Sequence, residues 1–251
     1  MIKKSFRVKE ADAAADIALI NQYALTELTP EDVFCFSVVL CDNEVDRDLE
    51  RFTDASLAVL AELFVGKTGI KDHDWSSDNQ VARIYRAEVE SPGEKTSDGR
   101  ELKQLVGSVY MLRNERTQSL IESIEGGIVK EVSVGFQARK CTCSICGELM
   151  GWLGCPNDHQ KGAEYNGELC VGLLEDPLDA YEFSFVAVPS QRRAGVTKSA
   201  LSGVFEMLKN ADLTDFGEQI RELMPRFREA VASAEERDER RRIINENKKF
   251  L

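Results

Sequence analysis

Histidine is scarce in this chain: two residues among 251, His73 and His159. Any reaction that needs an imidazole must therefore use one of two positions. Long apolar runs are missing as well, and no stretch approaches the length of a membrane span. Met1-Ile2-Lys3-Lys4 is basic, but no apolar run follows it, so no secretory signal is expected. Positive charge is in deficit: 32 Lys and Arg stand against 44 Asp and Glu, a formal net charge of −12. That balance repels polyanions and argues against general binding to a nucleic-acid backbone. Gly66-Lys67-Thr68 has the end of a phosphate-binding loop, but the glycine required five residues before Gly66 is Ala61, so no nucleotide site is expected there. No His-Glu-x-x-His segment exists, and no internal repeat spans the chain.

What is present is a packed protein. The hydrophobic fraction is 43%, well above that of a disordered chain. Ala11 to Leu28 has helical character closed by Pro30. Val33 to Cys41 is an apolar, β-branched run read as a buried strand, with Cys35 and Cys41 as core residues. Thr53 is placed to cap a helix whose Leu57, Leu60, Ala61 and Phe64 share one face. Val81–Glu90 and Glu101–Leu112 read as a hairpin around the turn-rich loop Ser91–Gly99. Asn114 can cap a helix running to Glu125, ended by Gly126-Gly127. These elements predict an α+β protein with a mainly β core. The expected division is an N-terminal extension over 1–31, a main domain over 32–198 and a helical tail over 199–251. In the tail, Leu213, Phe216, Ile220, Leu223, Phe227 and Val231 recur every three or four residues.

Three segments carry candidate chemistry. Lys130-Glu131-Val132-Ser133-Val134-Gly135-Phe136 alternates like a half-buried strand, with Glu131, Ser133 and Gly135 on one face and Val132, Val134 and Phe136 on the other. Tyr181-Glu182-Phe183-Ser184-Phe185-Val186-Ala187-Val188-Pro189 repeats the Glu-x-Ser pattern. Lys71-Asp72-His73-Asp74-Trp75 supplies a histidine. A serine hydroxyl is a poor nucleophile until a base takes its proton, and that base needs an anion to fix its tautomer.

In this order the three segments resemble the prohead maturation serine proteases of tailed bacteriophages, which share a fold with herpesvirus assemblin proteases. The resemblance covers roughly residues 32–192. It implies a herpesvirus-protease-like β-barrel flanked by helices, and serine endopeptidase activity. The implied substrates are scaffold and major capsid protein precursors, cut inside the assembling prohead in the host cytoplasm. Homodimerisation is a further implication. Carried over by position, Ser133 is the nucleophile, His73 the general base and Glu182 the orienting acid, with Glu131, Asp176 and Asp179 as rivals for the last role. Oxyanion donors would be backbone N–H groups near Val134 and Gly135. An arginine could assist, from among Arg139, Arg192 and Arg193.

Residues 141–170 form a Cys- and Gly-rich insertion that departs from this family pattern. Without a secretory signal the seven cysteines are expected to stay reduced, and clustered thiols then suggest metal rather than disulfides. Cys143 and Cys146 form C-x2-C; Cys155 and His159 form C-x3-H. Four such donors in two short loops suit a structural, tetrahedral zinc, with Gly147 making the tight turn. Cys141 is an alternative ligand and Cys170 a reserve. Four protein ligands leave no open position for catalysis. Two other functions remain in view: a zinc-dependent hydrolase using His73 and the cysteine loop, and a catalytically silent, zinc-containing capsid assembly or scaffold protein.

Overall fold

The structure is a computed structural model that describes residues 13–151 and 154–197. The helical stripe expected beyond Lys198 lies outside the described residues. The architecture is α+β, dominated by one mixed sheet: β1 (Val33–Asp42), β2 (Glu50–Phe52), β3 (Thr68–Lys71), β4 (Ala82–Glu90), β5 (Gln104–Leu112), β6 (Val132–Cys143), β9 (Gly172–Phe185) and β10 (Gly195–Thr197). A two-stranded ribbon, β7 (Glu164–Tyr165) and β8 (Glu168–Leu169), stands apart. The helices are α1 (Ala13–Ile20), α2 (Asp54–Phe64) and α3 (Glu115–Glu125).

The strands run in the order β10-β1-β5-β4-β3-β9-β2, and β6 pairs with β9. β9 is the hub. β6 lies antiparallel along its whole length, from Val132 opposite Phe185 to Cys143 opposite Gly172. Its other edge takes β3 in parallel over Glu182–Phe185 and β2 in parallel over Gly172–Leu174. Among the described residues the closed barrel implied by the resemblance is not formed. Where β10 meets the chain entering β6, the contact is one isolated bridge, Glu131 to Gly195, with Val196 N–H donating to Lys130 O at 2.6 Å. Among the described residues β10 comprises Gly195–Thr197.

Local chemistry explains the elements. Thr53 Oγ1 accepts the Ser56 N–H at 3.2 Å and starts α2. Leu57, Leu60 and Phe64 of α2 are fully buried against the sheet, each contributing about 1.5–3 kcal/mol as an upper bound. Asn114 Oδ1 accepts from Arg116 and Thr117 N–H, capping α3. The N-terminal helix is shorter than its periodicity suggests. It ends at Ile20, and the Asn21 side chain then donates to Leu28 O (3.0 Å) and accepts its N–H (2.9 Å), holding the chain in a loop. Ile20 packs with Val33, Tyr85 and Tyr110, so this segment belongs to the packed body. Cys41 is a core residue as expected, and Cys35 is half-buried against the Ile20–Val33–Tyr85–Tyr110 cluster; burial pushes the Cys35 thiol up to about 12 and Cys41 well up from its ordinary value.

Candidate active site and metal centre

One face of the β6–β9 ribbon packs on the core and the other gathers polar groups. Val132 opposes Phe185 and Val134 opposes Phe183 on the apolar face, while Ser133 opposes Ser184 and Gly135 opposes Glu182 on the other. Directly paired residues share a face, so Ser133, Gly135, Glu182 and Ser184 form one patch.

His73 reaches this patch from the end of β3. Asp72 N–H donates to Phe185 O at 3.0 Å, and Asp72 and His73 then both adopt positive φ, 54° each. Aspartate and histidine tolerate this left-handed geometry better than most residues, though at a cost. The turn carries His73 N–H to Ser184 Oγ at 3.0 Å and His73 Nδ1 to Glu182 Oε1 at 2.8 Å. Asn79, nearly buried, pins the loop by donating to Lys71 O (2.8 Å) and Asp74 O (3.0 Å).

The Glu182 side chain is 3% exposed and the His73 ring 43%. Glu182 Oε2 accepts from Ser184 Oγ at 2.6 Å, so both carboxyl oxygens are engaged. In the tautomer that carries its proton on Nδ1, His73 donates to Oε1 and leaves the Nε2 lone pair free.

The rivals for the acid are engaged elsewhere: Asp179 with Lys67 (2.9 Å), Asp176 with Lys140 (2.7 Å) and Glu131 with Lys130 (3.5 Å). Arg193 pairs with Glu94 at 2.8 Å. Ser133 is half-buried on the same face, and among the described residues its hydroxyl makes no hydrogen bond.

Two participants escaped the sequence reading. Ser184, fully buried, links the carboxylate to the His73 backbone; the Glu182-x-Ser184 spacing was its only signal. Tyr181 is the extra residue of a β-bulge, since Gly135 pairs with Glu182 but Phe136 pairs with Ala180. Bulges re-aim side chains, and the Tyr181 hydroxyl donates to Gln137 Oε1 at 2.8 Å while its ring packs 5.4 Å from that of Trp75, itself 67% exposed.

The insertion assembles a second cluster at the far end of the same ribbon. β6 ends at Cys143, where Gly147 N–H returns to Cys143 O at 2.8 Å with Gly147 at φ +75°; this is the tight turn anticipated there. The donor atoms of Cys143, Cys146, Cys155 and His159 all lie within 4.8 Å of one another. Cys146 Sγ is 3.4 Å from Cys155 Sγ, and His159 Nδ1 is 3.6 Å from Cys143 Sγ and 3.7 Å from Cys155 Sγ. Tetrahedral zinc with Zn–S bonds of about 2.3 Å separates its donors by roughly 3.7 Å, so donor chemistry and spacing both fit. The Glu148 backbone N–H, followed by the Asn157 side chain, pulls the Cys146 thiol down to about 6, toward the thiolate that metals bind. The His159 ring packs edge-on to Tyr165 with centroids 4.6 Å apart. Cys170 Sγ lies 3.8 Å from Cys143 Sγ, outside the four-donor group. Cys141 lines an adjacent cavity of about 510 Å³ with Glu50, His159 and Lys161.

No protein-family model, no curated protein and no solved structure matches this chain.

Proposed function

We propose that the protein is a serine endopeptidase in which Ser133 attacks, His73 acts as general base and Glu182 holds the imidazole in the required tautomer. The observation that carries this reading is the 2.8 Å bond from His73 Nδ1 to a carboxylate sealed from solvent, on the sheet face that also bears Ser133. A surface histidine with a structural role has no need of a buried anion, whose desolvation costs energy unless its interactions offset it. The resemblance of the three segments to phage prohead maturation proteases supplies the substrate class: scaffold and major capsid precursors, cut inside the assembling prohead. The herpesvirus-protease-like arrangement is part of the same proposal.

We propose also that Cys143, Cys146, Cys155 and His159 hold a structural zinc. Four protein donors complete a tetrahedron and leave no position for a reacting water, which disfavours the metal-hydrolase reading. The catalytically silent capsid or scaffold protein has one observation in its favour, the unbonded Ser133 hydroxyl.

Labelling with a serine-reactive phosphonate separates these readings. The expected outcome is a single adduct at Ser133 that is lost in Ser133→Ala and His73→Ala, each substitution slowing cleavage by roughly 10⁴–10⁶ while the double variant loses little more. Glu182→Gln costs less. Absence of labelling with intact metal would establish the silent protein; chelator-sensitive hydrolysis without labelling would establish the metal hydrolase.

A further inference from the structure

We infer that Ser184 is a positioning residue of the catalytic apparatus, a fourth member acting through both Glu182 and His73. The inference rests on the endopeptidase reading for its rate consequences, but its geometry stands independently. A fully buried serine hydroxyl has one proton to give and lone pairs to receive. Here the proton goes to Glu182 Oε2 at 2.6 Å, and a lone pair takes the His73 N–H at 3.0 Å. One side chain thus fixes the acid and the backbone of the base.

Each of those tasks answers a specific difficulty. Glu182 has one oxygen bonded to the imidazole; unless the second is also held, the carboxyl group can rotate about its terminal torsion, which is broad and soft. The Ser184 hydroxyl closes that rotation. His73 sits at φ +54° immediately after another residue at φ +54°, a backbone that persists only where its surroundings determine it. The His73 N–H would be unsatisfied by the β3 ladder once the chain leaves it at Lys71; Ser184 Oγ is its acceptor. Because Ser184 is two residues from Glu182 on one strand, the pleat places both side chains on the face over which the His73 turn folds. Ile70 of β3 pairs beside Ser184 and is itself buried, helping to keep the network dry.

Ser184 is also the cross-strand partner of Ser133. Two serines on paired positions invite the question of which one is the nucleophile, and the geometry separates them. Ser184 already donates its proton to the carboxylate and is fully buried, whereas Ser133 is half-buried with an unengaged hydroxyl. Ser184 is not a candidate for attack.

The test compares wild type with Ser184→Ala and Ser184→Cys in the full-length protein. The first readout is the rate of phosphonate labelling at Ser133. The second is the downfield ¹H resonance of the His73 imidazole N–H bonded to Glu182, assigned by its loss in His73→Gln. The expected result is labelling slower by roughly 10- to 100-fold in Ser184→Ala, the scale on which outer partners of catalytic groups act. The weaker thiol donor should give an intermediate rate. The imidazole resonance should shift or broaden by exchange in Ser184→Ala while the remaining amide spectrum stays folded. Wild-type labelling rates with an unmoved resonance in Ser184→Ala would overturn the inference and leave the endopeptidase reading intact. If wild type is not labelled at all, the endopeptidase reading fails. The resonance then decides Ser184 alone: unmoved in Ser184→Ala, it refutes the positioning role; moved, it sustains it.

Discussion

Gly135 is the residue on which the acid's position depends. It pairs with Glu182 across the ribbon, and a Cβ built on it would collide with Glu182 Oε1 and stand 3.2 Å from the carboxyl carbon. Its φ is not in the left-handed region, so the requirement is space rather than backbone freedom. Glu182 is walled in and cannot step aside without leaving His73. Gly135→Ala should therefore slow phosphonate labelling of Ser133 by on the order of 10²–10⁴, since a misplaced acid costs what a lost one does. The stability cost of overpacking should stay near 1–3 kcal/mol, and a urea melt beside the labelling assay separates the two effects. Labelling at the wild-type rate would show that Glu182 does not orient the base. The sequence already contained much of this. Alternation placed Ser133 and Gly135 on one face, and the family pattern put Glu182 before its rivals. What alternation could not show was that the chain after β3 turns through two residues of positive φ to bring His73 over the patch. Nothing in Lys71–Trp75 specifies that turn apart from residue types that tolerate it.

At the scale of elements, the β6–β9 ribbon joins the two sites. Ser133 and Glu182 lie near one end and Cys143 and Gly172 at the other. Ten residues of strand separate Ser133 from Cys143, a span of about 33 Å along the strand, so the Cys/His cluster lies apart from the His73–Glu182 pair. A metal bound by the cluster would act locally, tying the Cys143 turn to the Cys155–His159 loop in a segment whose buried side chains are mainly thiols. On the zinc proposal, metal would substitute there for a core too small to fold alone. Purified protein should hold about one zinc per chain. Replacing Cys143 and Cys146 by Ser should release it and raise amide exchange through 141–170, leaving exchange in β1, β4 and β5 unchanged. Protein prepared without chelators and found free of zinc would refute the assignment. Acid acts in the same direction, because protons compete with metal for the thiolates and imidazole. The clustering of these four donors was legible from C-x2-C and C-x3-H spacing alone, because short loops fix donor separations almost by themselves. The bulges in β9 were not legible; Tyr181 reads as an ordinary strand residue until its pairing partner is known. Nor was the pairing of β10 with β1 and with the chain entering β6.

For the molecule as a whole, that pairing marks where the chain can be cut. β10 pairs Ser37, Val38 and Val39 of β1 with Thr197, Val196 and Gly195, and Val196 N–H also donates to Lys130 O at 2.6 Å. This strand therefore connects the first strand of the sheet to the segment that leads into Ser133. Removing it would leave the β1 edge and the Lys130 carbonyl without partners, with Glu131 O held only by Val186 N–H at 3.1 Å, and an unpaired edge both weakens the local structure and invites association. The chain beyond it carries the apolar stripe from Leu213 to Val231 and the charged run Glu235–Arg242. If the proposed maturation-protease function holds, the protein would have to be brought into the assembling shell, and an amphipathic stripe would suit docking on scaffold or capsid precursor. Two truncations test this division. Ending the chain after Lys198 keeps β10 and should give a soluble protein that melts with the full-length main transition, labels at Ser133 and cleaves a short test peptide, but is not packaged into proheads. Ending it before Gly195 should slow labelling at least tenfold, because the entry to β6 loses its neighbour. If the chain ending after Lys198 already loses solubility or peptide cleavage, the stripe stabilises the main domain itself and recruitment is not its role; if the chain ending before Gly195 labels normally, β10 does not position Ser133.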